Sequence, residues 1–248
     1  MTFHRVVSCE ILDALAPDDP QALRSRRDLF RVNRIMGAPG MLLRALRPIL
    51  ARHGMREPVR VLELGAGDGR LMLSLAQRAH RTWPVIDLTF LDRQPLIDAA
   101  TCAKFGSLGW VARSLIRDVL DWMNAPEQSG AAGHWDVIVT NLFLHHFDER
   151  QLAALMSAIA ARCDAFLACE PRRALLPLAG SYLMGVIGAS SITRHDAVLS
   201  VRAGFHGQEL ATMWPRESAD WQLGEREAGL FSHLFQAIRD AGAKPRLA

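Results

Sequence analysis

Residues 58–76 read PVRVLELGAGDGRLMLSLA, and the order of apolar residues and glycines in them indicates the fold class. It opens with a short apolar run, 59–64, of the kind that forms a parallel strand buried on both faces. Three glycines at alternate positions follow, and leucines and alanines then recur at the spacing of an amphipathic helix. Strand, glycine loop and helix in this order form the unit with which open α/β sheets bind nucleotide-like ligands.

The spacing of the glycines separates this loop from a dinucleotide fingerprint. The fingerprint G-x-G-x-x-G requires its third glycine where this chain has Arg70, and a large side chain there would obstruct close packing of helix on strand. Here Gly65, Gly67 and Gly69 follow Glu63 as E-L-G-A-G-D-G. This segment resembles the E/D-x-G-x-G-x-G signature of class I S-adenosylmethionine (SAM) dependent methyltransferases. A tight strand–helix turn without a ligand is the alternative interpretation.

The resemblance implies that SAM is the cofactor. In that family the glycines let the backbone approach the methionine and ribose portions of SAM, because glycine lacks Cβ and tolerates positive φ. The residues expected to contact SAM from this loop are Glu63, Gly65, Ala66, Gly67 and Gly69.

Two further acidic positions fit the same cofactor. Asp92, with Arg93 beside it, ends the second apolar run, where a carboxylate can accept two hydrogen bonds from a ribose diol. Asp118, with Val119, follows the third run, and the resemblance implies that Asp118 accepts the adenine amino group. For each aspartate the alternative is a helix cap, which for Asp92 would serve a helix starting near Gln94.

The fourth run, HWDVIVTNLFLHHF, also resembles the family and continues into its L-H-H segment. It lacks the [DNS]-P-P-[YF] motif of enzymes that methylate adenine or glutamine nitrogen, which disfavours such acceptors. Asn141 lies where this strand opens towards the reacting methyl group.

Histidine is the natural proton acceptor at neutral pH, and two histidines follow the fourth strand. One of His145 and His146 must face away from the site, and we expect His145 to face it. Glu170, at the end of the fifth strand, is then placed to orient its ring, as a His/Glu pair does in polyketide C-methyltransferases. The alternative is that this histidine caps the next helix or packs against the sheet. His195 is a second candidate base.

Apolar runs that alternate with helical stretches predict βαβ units and a parallel sheet. Two late runs separated by Gly229 are expected to pair as an antiparallel hairpin. We therefore expect an α/β, Rossmann-like sheet of seven mostly parallel strands. The predicted organisation is an N-terminal helical cap at 1–57 and a methyltransferase domain at 58–248, with a helical insertion at 172–198. The predicted strands are 59–64, 85–91, 109–114, 135–141, 165–170, 221–227 and 230–238, and helices are predicted to begin near Gly69, Gln94, Asp118 and Asp148.

Composition limits the partners. The 248 residues, half of them hydrophobic, suffice for one globular domain with a substantial core. The net charge is +3, and all of the 29 basic residues except Lys104 and Lys244 are arginines. This bias, together with abundant alanine, indicates a GC-rich coding sequence more than a nucleic-acid surface. We therefore expect no nucleic-acid partner. The four cysteines show no zinc-type spacing and are expected to be buried thiols in a reducing cytosol.

No cleavable signal is visible, and the apolar stretch 174–189 is interrupted by glycines and a proline, so no membrane span is expected. We expect a cytoplasmic monomer or homodimer. The same stretch is apolar enough to line a lipophilic acceptor pocket or to form a dimer interface.

We expect methyl transfer to a small lipophilic acceptor, most simply to the phenolic oxygen of an aromatic or polyketide-like compound. C-methylation of an activated carbon, methylation of RNA or protein, and a non-catalytic partner subunit are the alternatives. No metal is expected. Two looser resemblances concern the flanks of the chain. Residues 31–37 are similar to quinone-biosynthesis methyltransferases, which implies that Asn33 or Arg34 reaches the SAM carboxylate. The tail is similar to methyltransferases encoded near bacterial type III polyketide synthases.

Overall fold

The computed structural model describes residues 3–53, 57–79, 81–125, 133–215 and 221–240. Seven strands form one sheet in the order β3-β2-β1-β4-β5-β7-β6. The first five run parallel, and β7 is antiparallel to both of its neighbours. The predicted fold class is confirmed. The strands are β1 (Val59–Leu64), β2 (Ile86–Asp92), β3 (Val111–Ile116), β4 (Trp135–Asn141), β5 (Cys163–Pro171), β6 (Trp221–Ala228) and β7 (Ser232–Arg239).

Predicted strand bounds agree with the structure at β1 and β4 and differ by one or two residues elsewhere. The last strand begins at Ser232 and not at 230, because Gly229, at φ +65°, and its two successors form the hairpin turn. Positive φ at this position favours glycine.

Ten α-helices are found in the described part of the chain. They are α1 (Ile11–Ala14), α2 (Pro20–Met36), α3 (Ala38–Leu50), α4 (Arg70–Ala79), α5 (Ala99–Gly106), α6 (Val119–Asn124), α7 (Glu149–Arg162), α8 (Leu175–Tyr182), α9 (Ser191–Ala203) and α10 (Glu209–Met213). The helix predicted near Gln94 is wrong in its start. The Gln94 N–H donates to Asp92 Oδ1 at 2.9 Å, and the helix begins only after Asp98, whose side chain accepts from Thr101 N at 2.7 Å.

Helices cover both faces of the sheet, each over its own core. Helices α3, α4 and α5 pack on one face against Val61, Leu88 and Phe90. Helices α6, α7 and α10 pack on the other against Leu62, Leu64 and Phe166. Helix α3 lies in the first core, together with helices of the sheet. The predicted boundary between a cap and a domain at residue 57 stays a prediction.

The strand order reverses beside β1, since β2 and β4 flank it on opposite sides. Crossover connections leave in opposite directions at such a point, so a crevice opens between them at the carboxyl ends of the strands. The glycine loop and the end of β4 lie at this crevice.

The predicted insertion is helical and consists of α8, a 3₁₀ segment Leu183–Ile187 and most of α9. No described helix is long and apolar enough to cross a membrane. The expectation for the cysteines holds for Cys163 and Cys169, which are buried, but is wrong for Cys9, which is exposed, and Cys102 is half-buried. Cys9 lies on an N-terminal segment without an apolar pattern, so no helix face covers it.

A glycine at the end of α9 tests how tightly this layer packs on β5. A Cβ on Gly204 would lie 2.3 Å from the Pro171 carbonyl oxygen, which also accepts the Phe205 N–H at 2.9 Å. We expect Gly204→Ala to lower the free energy of unfolding by about 1–3 kcal/mol, because backbone must move. Gly106→Ala is the control, since open space surrounds that position. Equal urea-unfolding midpoints for the two variants would contradict the packing described.

Candidate functional site

The crevice at the switch point is lined by three parts of the chain. The glycine loop with Glu63 forms its floor, Asn141 and Leu142 at the end of β4 form one wall, and α2 lies over it through Arg26, Leu29, Phe30 and Asn33. The cleft is therefore bounded by α2 as well as by the sheet.

Two glycines of the loop have backbone conformations that disfavour any other residue. A Cβ on Gly65, at φ +67°, would lie 2.1 Å from the Phe143 ring, so only a glycine lets the loop approach the end of β4. Gly67, at φ +56°, has open space at its Cβ position and lines the cleft. Backbone conformation at both positions disfavours other residues, and the loop leaves its backbone accessible to a ligand.

Two buried acceptor atoms in the cleft have no partner among the described residues. They are Oε2 of Glu63 and Oδ1 of Asn141, whose amide nitrogen is 3.3 Å from Asn33 Oδ1. Burial, together with the charges of Asp68 and Asp92, raises the pKa of Glu63 well above its ordinary value. A buried acceptor without a donor is costly. The cleft is thus suited to a ligand that brings donors or positive charge, as the ammonium group of SAM would.

Asp92 lies at the carboxyl end of β2, beside the loop. Its Oδ2 accepts from Gly67 N at 2.8 Å and its Oδ1 from Gln94 N at 2.9 Å. Burial raises the pKa of Asp92, although these two hydrogen bonds act in the opposite direction. The carboxylate does not cap a helix, and the predicted contact of Asp92 with a ribose stays a prediction. Arg93 is exposed and bonds the Asp13 carbonyl at 2.5 Å.

Asp118 is the N-cap of α6, with its Oδ1 accepting from Leu120 N at 2.8 Å. The alternative role as a cap is therefore present. Val119 is buried in the core under α6. Contacts of either residue with adenine stay predictions, and the second oxygen of Asp118 leaves room for both roles.

After β4 the chain turns sharply around Glu170. Leu142 has φ +52°, an uncommon conformation for a residue other than glycine that often marks a functional site. Glu170, fully buried at the end of β5, accepts from Phe143 N and Leu144 N, each at 3.0 Å. Its Oε2 lies 2.9 Å from Nδ1 of His145. The structure thus brings together the two residues of the predicted pair.

An N-terminal strap, residues 3–19, crosses the carboxyl edge of the sheet. Glu10 Oε1 lies 3.3 Å from Nε2 of His145 and also accepts from Ser200 Oγ. Asp13 Oδ2 lies 3.2 Å from Nδ1 of His146, and the same side chain faces Arg93. The strap therefore spans from the histidines after β4 to the loop after β2.

The contacts of His145 set its charge. Burial alone lowers the pKa of His145, but the hydrogen bonds and negative charges of Glu10 and Glu170 outweigh burial and raise the pKa to about 9. Among the described residues, the His146 ring, with its centroid 4.3 Å from that of His145, and Arg5, which donates to the His145 carbonyl, also adjoin it. With the strap in place, His145 is an imidazolium at neutral pH.

Comparison with known proteins agrees with this geometry. The family model described as "Methyltransferase domain" matches residues 31–223. The chain belongs to this methyltransferase family. The predicted membership of the class I SAM-dependent methyltransferases is confirmed. A comparison with curated protein sequences returned no match.

Solved methyltransferases share the fold over most of their length. The plantazolicin methyltransferase BpumL in complex with SAH (S-adenosylhomocysteine) is 14% identical with a TM-score of 0.59, covering 90% of this chain and 91% of that one. Magnesium protoporphyrin IX methyltransferase from Synechocystis PCC 6803 with bound SAM is 13% identical with a TM-score of 0.52, covering 87% and 84%. An O-methyltransferase family protein from Burkholderia thailandensis is 18% identical with a TM-score of 0.51, covering 83% and 59%.

Four residues around the cleft and the histidines were not predicted from the sequence. Arg26 points into the cleft and donates to Pro17 O and Gln94 Oε1, whereas the predicted Arg34 is exposed. Glu10 and Asp13 reach the histidines, and Asp196 anchors the strap by accepting from Ile11 N and Leu12 N. A strap without periodic pattern carries no sequence signal for these contacts.

Among the described residues, Glu10, His145 and His146 offer ligand atoms that all lie within 4.8 Å of one another. Both nitrogens of His145 and one of His146 already face carboxylates. The expectation that this methyltransferase needs no metal stays a prediction.

Asp92 provides the test of the cofactor site. If its carboxylate holds the ribose hydroxyls, Asp92→Ala should weaken SAH binding by about 1.5–3 kcal/mol in titration calorimetry. Asp87→Ala is the matched control. Asp87 lies near the amino end of the same strand, whereas Asp92 lies at its carboxyl end, and Asp87 pairs with Arg113. Equal affinities of the two variants would contradict the assignment.

Proposed function

We propose that this enzyme transfers the methyl group of SAM to the phenolic oxygen of a small lipophilic aromatic or polyketide-like acceptor. The observation that carries the proposal is the buried Glu170–His145 pair, with Nε2 of His145 directed away from Glu170 and facing, among the described residues, the Glu10 carboxylate of the N-terminal strap. A hydroxyl in the place of Glu10 would face a nitrogen able to take its proton.

Different residues of the cleft contact different parts of the cofactor. Glu63 and Asn141 offer their unpaired oxygens to the ammonium group, and Asp92 holds the ribose. The backbone of the loop from Gly65 to Gly69 lies against the methionine portion. When bound, SAM supplies an electrophilic methyl group on a sulfonium that already carries its leaving group. The protein therefore has to place an acceptor in line and remove one proton.

The His145–Glu170 pair removes that proton. A proton passes from the acceptor hydroxyl to Nε2 of His145, while Glu170 accepts the hydrogen bond of Nδ1–H and stabilises the resulting imidazolium. A phenol has a pKa near 10. The raised pKa of His145, about 9, includes the contribution of Glu10, so displacement of Glu10 by the acceptor lowers it and leaves Glu170 to favour the imidazolium. Because the pKa is raised while Glu10 is in contact, His145 is protonated at rest, and the acceptor must enter when Nε2 has lost its proton and its contact with Glu10.

C-methylation of an activated carbon is the second candidate, and the same pair supports it, since an enolisable carbon also needs a base. One solved neighbour is described in complex with a monoazolic desmethylPZN analog, and another is a magnesium protoporphyrin IX methyltransferase. These descriptions support a small molecule or a peptide as acceptor over RNA. The complete glycine loop argues against a subunit without turnover.

Product analysis separates the two candidates. The enzyme would be incubated with methyl-labelled SAM and a panel of alkylated phenols and β-diketones, and the labelled carbon located by NMR. We expect an O-methyl signal from a phenol. A signal only at the C-methyl position would replace O-methylation by the second candidate, and failure to bind SAM or SAH in calorimetry would remove the proposal altogether.

Substitution of His145 tests its role as base. His145→Gln should lower kcat by about 10²–10⁴-fold and leave SAM affinity nearly unchanged, because the group acts on the acceptor alone. Glu170→Gln should give a smaller loss. The control is His134→Gln, since His134 also pairs with a carboxylate, Asp164 at 3.1 Å, but at the amino ends of the strands. Near wild-type turnover in both His145→Gln and His146→Gln would show that these histidines are structural.

The pH profile tests the protonation state. Because the pKa of His145 is raised to about 9 and the base must be unprotonated, kcat/KM should rise with pH through that region and not near 6.5. Glu10→Gln removes a negative charge that favours the imidazolium, so it should move the rise to lower pH. Glu149→Gln, on the exposed start of α7, should not move it. A profile that is unchanged in Glu10→Gln would contradict the contact.

A further inference from the structure

One stretch of the helical insertion exposes apolar side chains side by side. This apolar face comprises α8 and the 3₁₀ segment after it, and Val186 is 84% exposed while Leu183 is 64% exposed. Leu176 on α8 and Leu183 at the start of the 3₁₀ segment are both exposed. The exposed apolar residues of the face are Leu175, Leu176, Tyr182, Leu183, Val186 and Ile187.

The hairpin between β6 and β7 extends the same face. The Phe231 ring lies against Gly180 of α8, with its Cε1 2.9 Å from the position of a Cβ there. Leu230, the neighbour of Phe231, is also exposed. Contiguous exposed apolar surface of this kind marks an interaction site more often than scattered single residues do.

Arginines surround the apolar face. The Arg202 guanidinium is 3.4 Å from the Tyr182 hydroxyl, and the Arg194 side chain packs on Gly185. Arg24 on α2 shares with Arg194 a cavity at the start of α9. The rim is therefore cationic.

Of the acidic side chains around the face, Glu227 on the hairpin is exposed but pairs with Arg172, and Asp28 and Asp196 are turned inward and already bonded. Asp28 accepts from Ser190 N at 2.8 Å, and Asp196 accepts from Ile11 N and Leu12 N. Both aspartates are buried. They are not presented on the exposed face, so the charge it offers to a partner is positive.

We propose that this face docks on a bilayer surface that contains anionic lipid. Apolar side chains at the centre enter the region between headgroups and acyl chains, and the rim arginines meet the negative headgroups. A second copy of the chain fits less well, because a two-fold contact would bring the arginine rims of both copies together. The proposal of membrane docking is argued from this surface alone. A lipophilic acceptor, as proposed above, dissolves in the same bilayer, and docking would bring the enzyme to it.

The docked layer adjoins the site. On the inner side of α9, Asp196 holds the N-terminal strap and Ser200 donates to Glu10, which faces His145. An acceptor dissolved in the bilayer would thus be collected on the outer side of the same helical layer that borders the catalytic histidine.

Vesicle flotation with the full chain tests the proposal, using phosphatidylcholine vesicles with and without phosphatidylglycerol. We expect binding to the anionic vesicles, weakened by salt. Arg194→Gln and Arg202→Gln should each lower the partition coefficient about fivefold, the effect of one arginine near an anionic surface. Val186→Asp should lower it by at least about tenfold, because an apolar side chain that enters the bilayer on docking is replaced by a charge.

Matched controls exclude general effects. Val111→Asp changes an exposed valine, 55% exposed on the edge strand β3, and should leave vesicle binding unchanged. Arg81→Gln changes an exposed arginine far along the chain from this face and should also leave binding unchanged. Thermal unfolding and SAH binding of each variant establish that the fold and the cofactor site are intact, whatever the acceptor proves to be.

Three outcomes would overturn the proposal. The first is absence of wild-type binding to either vesicle. The second is equal loss in Val186→Asp and Val111→Asp. The third is a wild-type dimer, seen by light scattering, that Val186→Asp dissociates without any vesicle binding, which would make this face an interface between copies of the chain.

Discussion

The carboxylate of Glu170 is the constraint on which the site depends. It is fully buried at the end of β5, so its charge has to be met by donors from within the protein. Two backbone amides after β4 and the Nδ1 of His145 supply them. These bonds hold the chain in the left-handed turn at Leu142 and direct Nε2 of His145 towards the N-terminal strap. They also bring the Phe143 ring against Gly65 of the glycine loop. One buried charge thus links the predicted base to the glycine loop.

The N-terminal strap completes this arrangement from the other side. A buried imidazolium needs compensation at both nitrogens, and Glu10 supplies it at Nε2. The carboxylate oxygen of Glu10 takes the place that an acidic hydroxyl of an acceptor requires, so the resting contact and the proposed reaction use the same nitrogen. Asp13 extends the strap to Arg93 and so joins the histidines to the edge of β2, where Asp92 meets the loop.

The sequence predicts those features that arise from local pattern. The apolar run at β1, the glycine spacing and the strand that ends at Asn141 have local signals, so fold, family and the outline of the cleft follow from them. The approach of His145 to Glu170 also follows, because parallel strands bring their carboxyl ends to one edge.

Features that depend on tertiary contact were not predictable. Glu10 and His145 are 135 positions apart, and residues 3–19 have no periodicity that would place them over the sheet. The pKa of His145 follows from that contact and could not be foreseen. The rotation of α2 about its axis places Arg26 in the cleft and leaves Arg34 exposed. The Asp92–Gln94 bond belongs to the loop before α5, and the cap of Asp98 sets the start of the helix at Ala99.

A crystal structure of the protein with SAH is the most direct test of the central claim, that the Glu170–His145 pair serves methyl transfer beside a SAM site. We expect the ribose against Asp92, the ammonium group between Glu63 and Asn141, and the vacant methyl side of the sulfur open towards Nε2 of His145. A sulfur that faces away from His145, with the imidazole shielded behind Phe143, would contradict it.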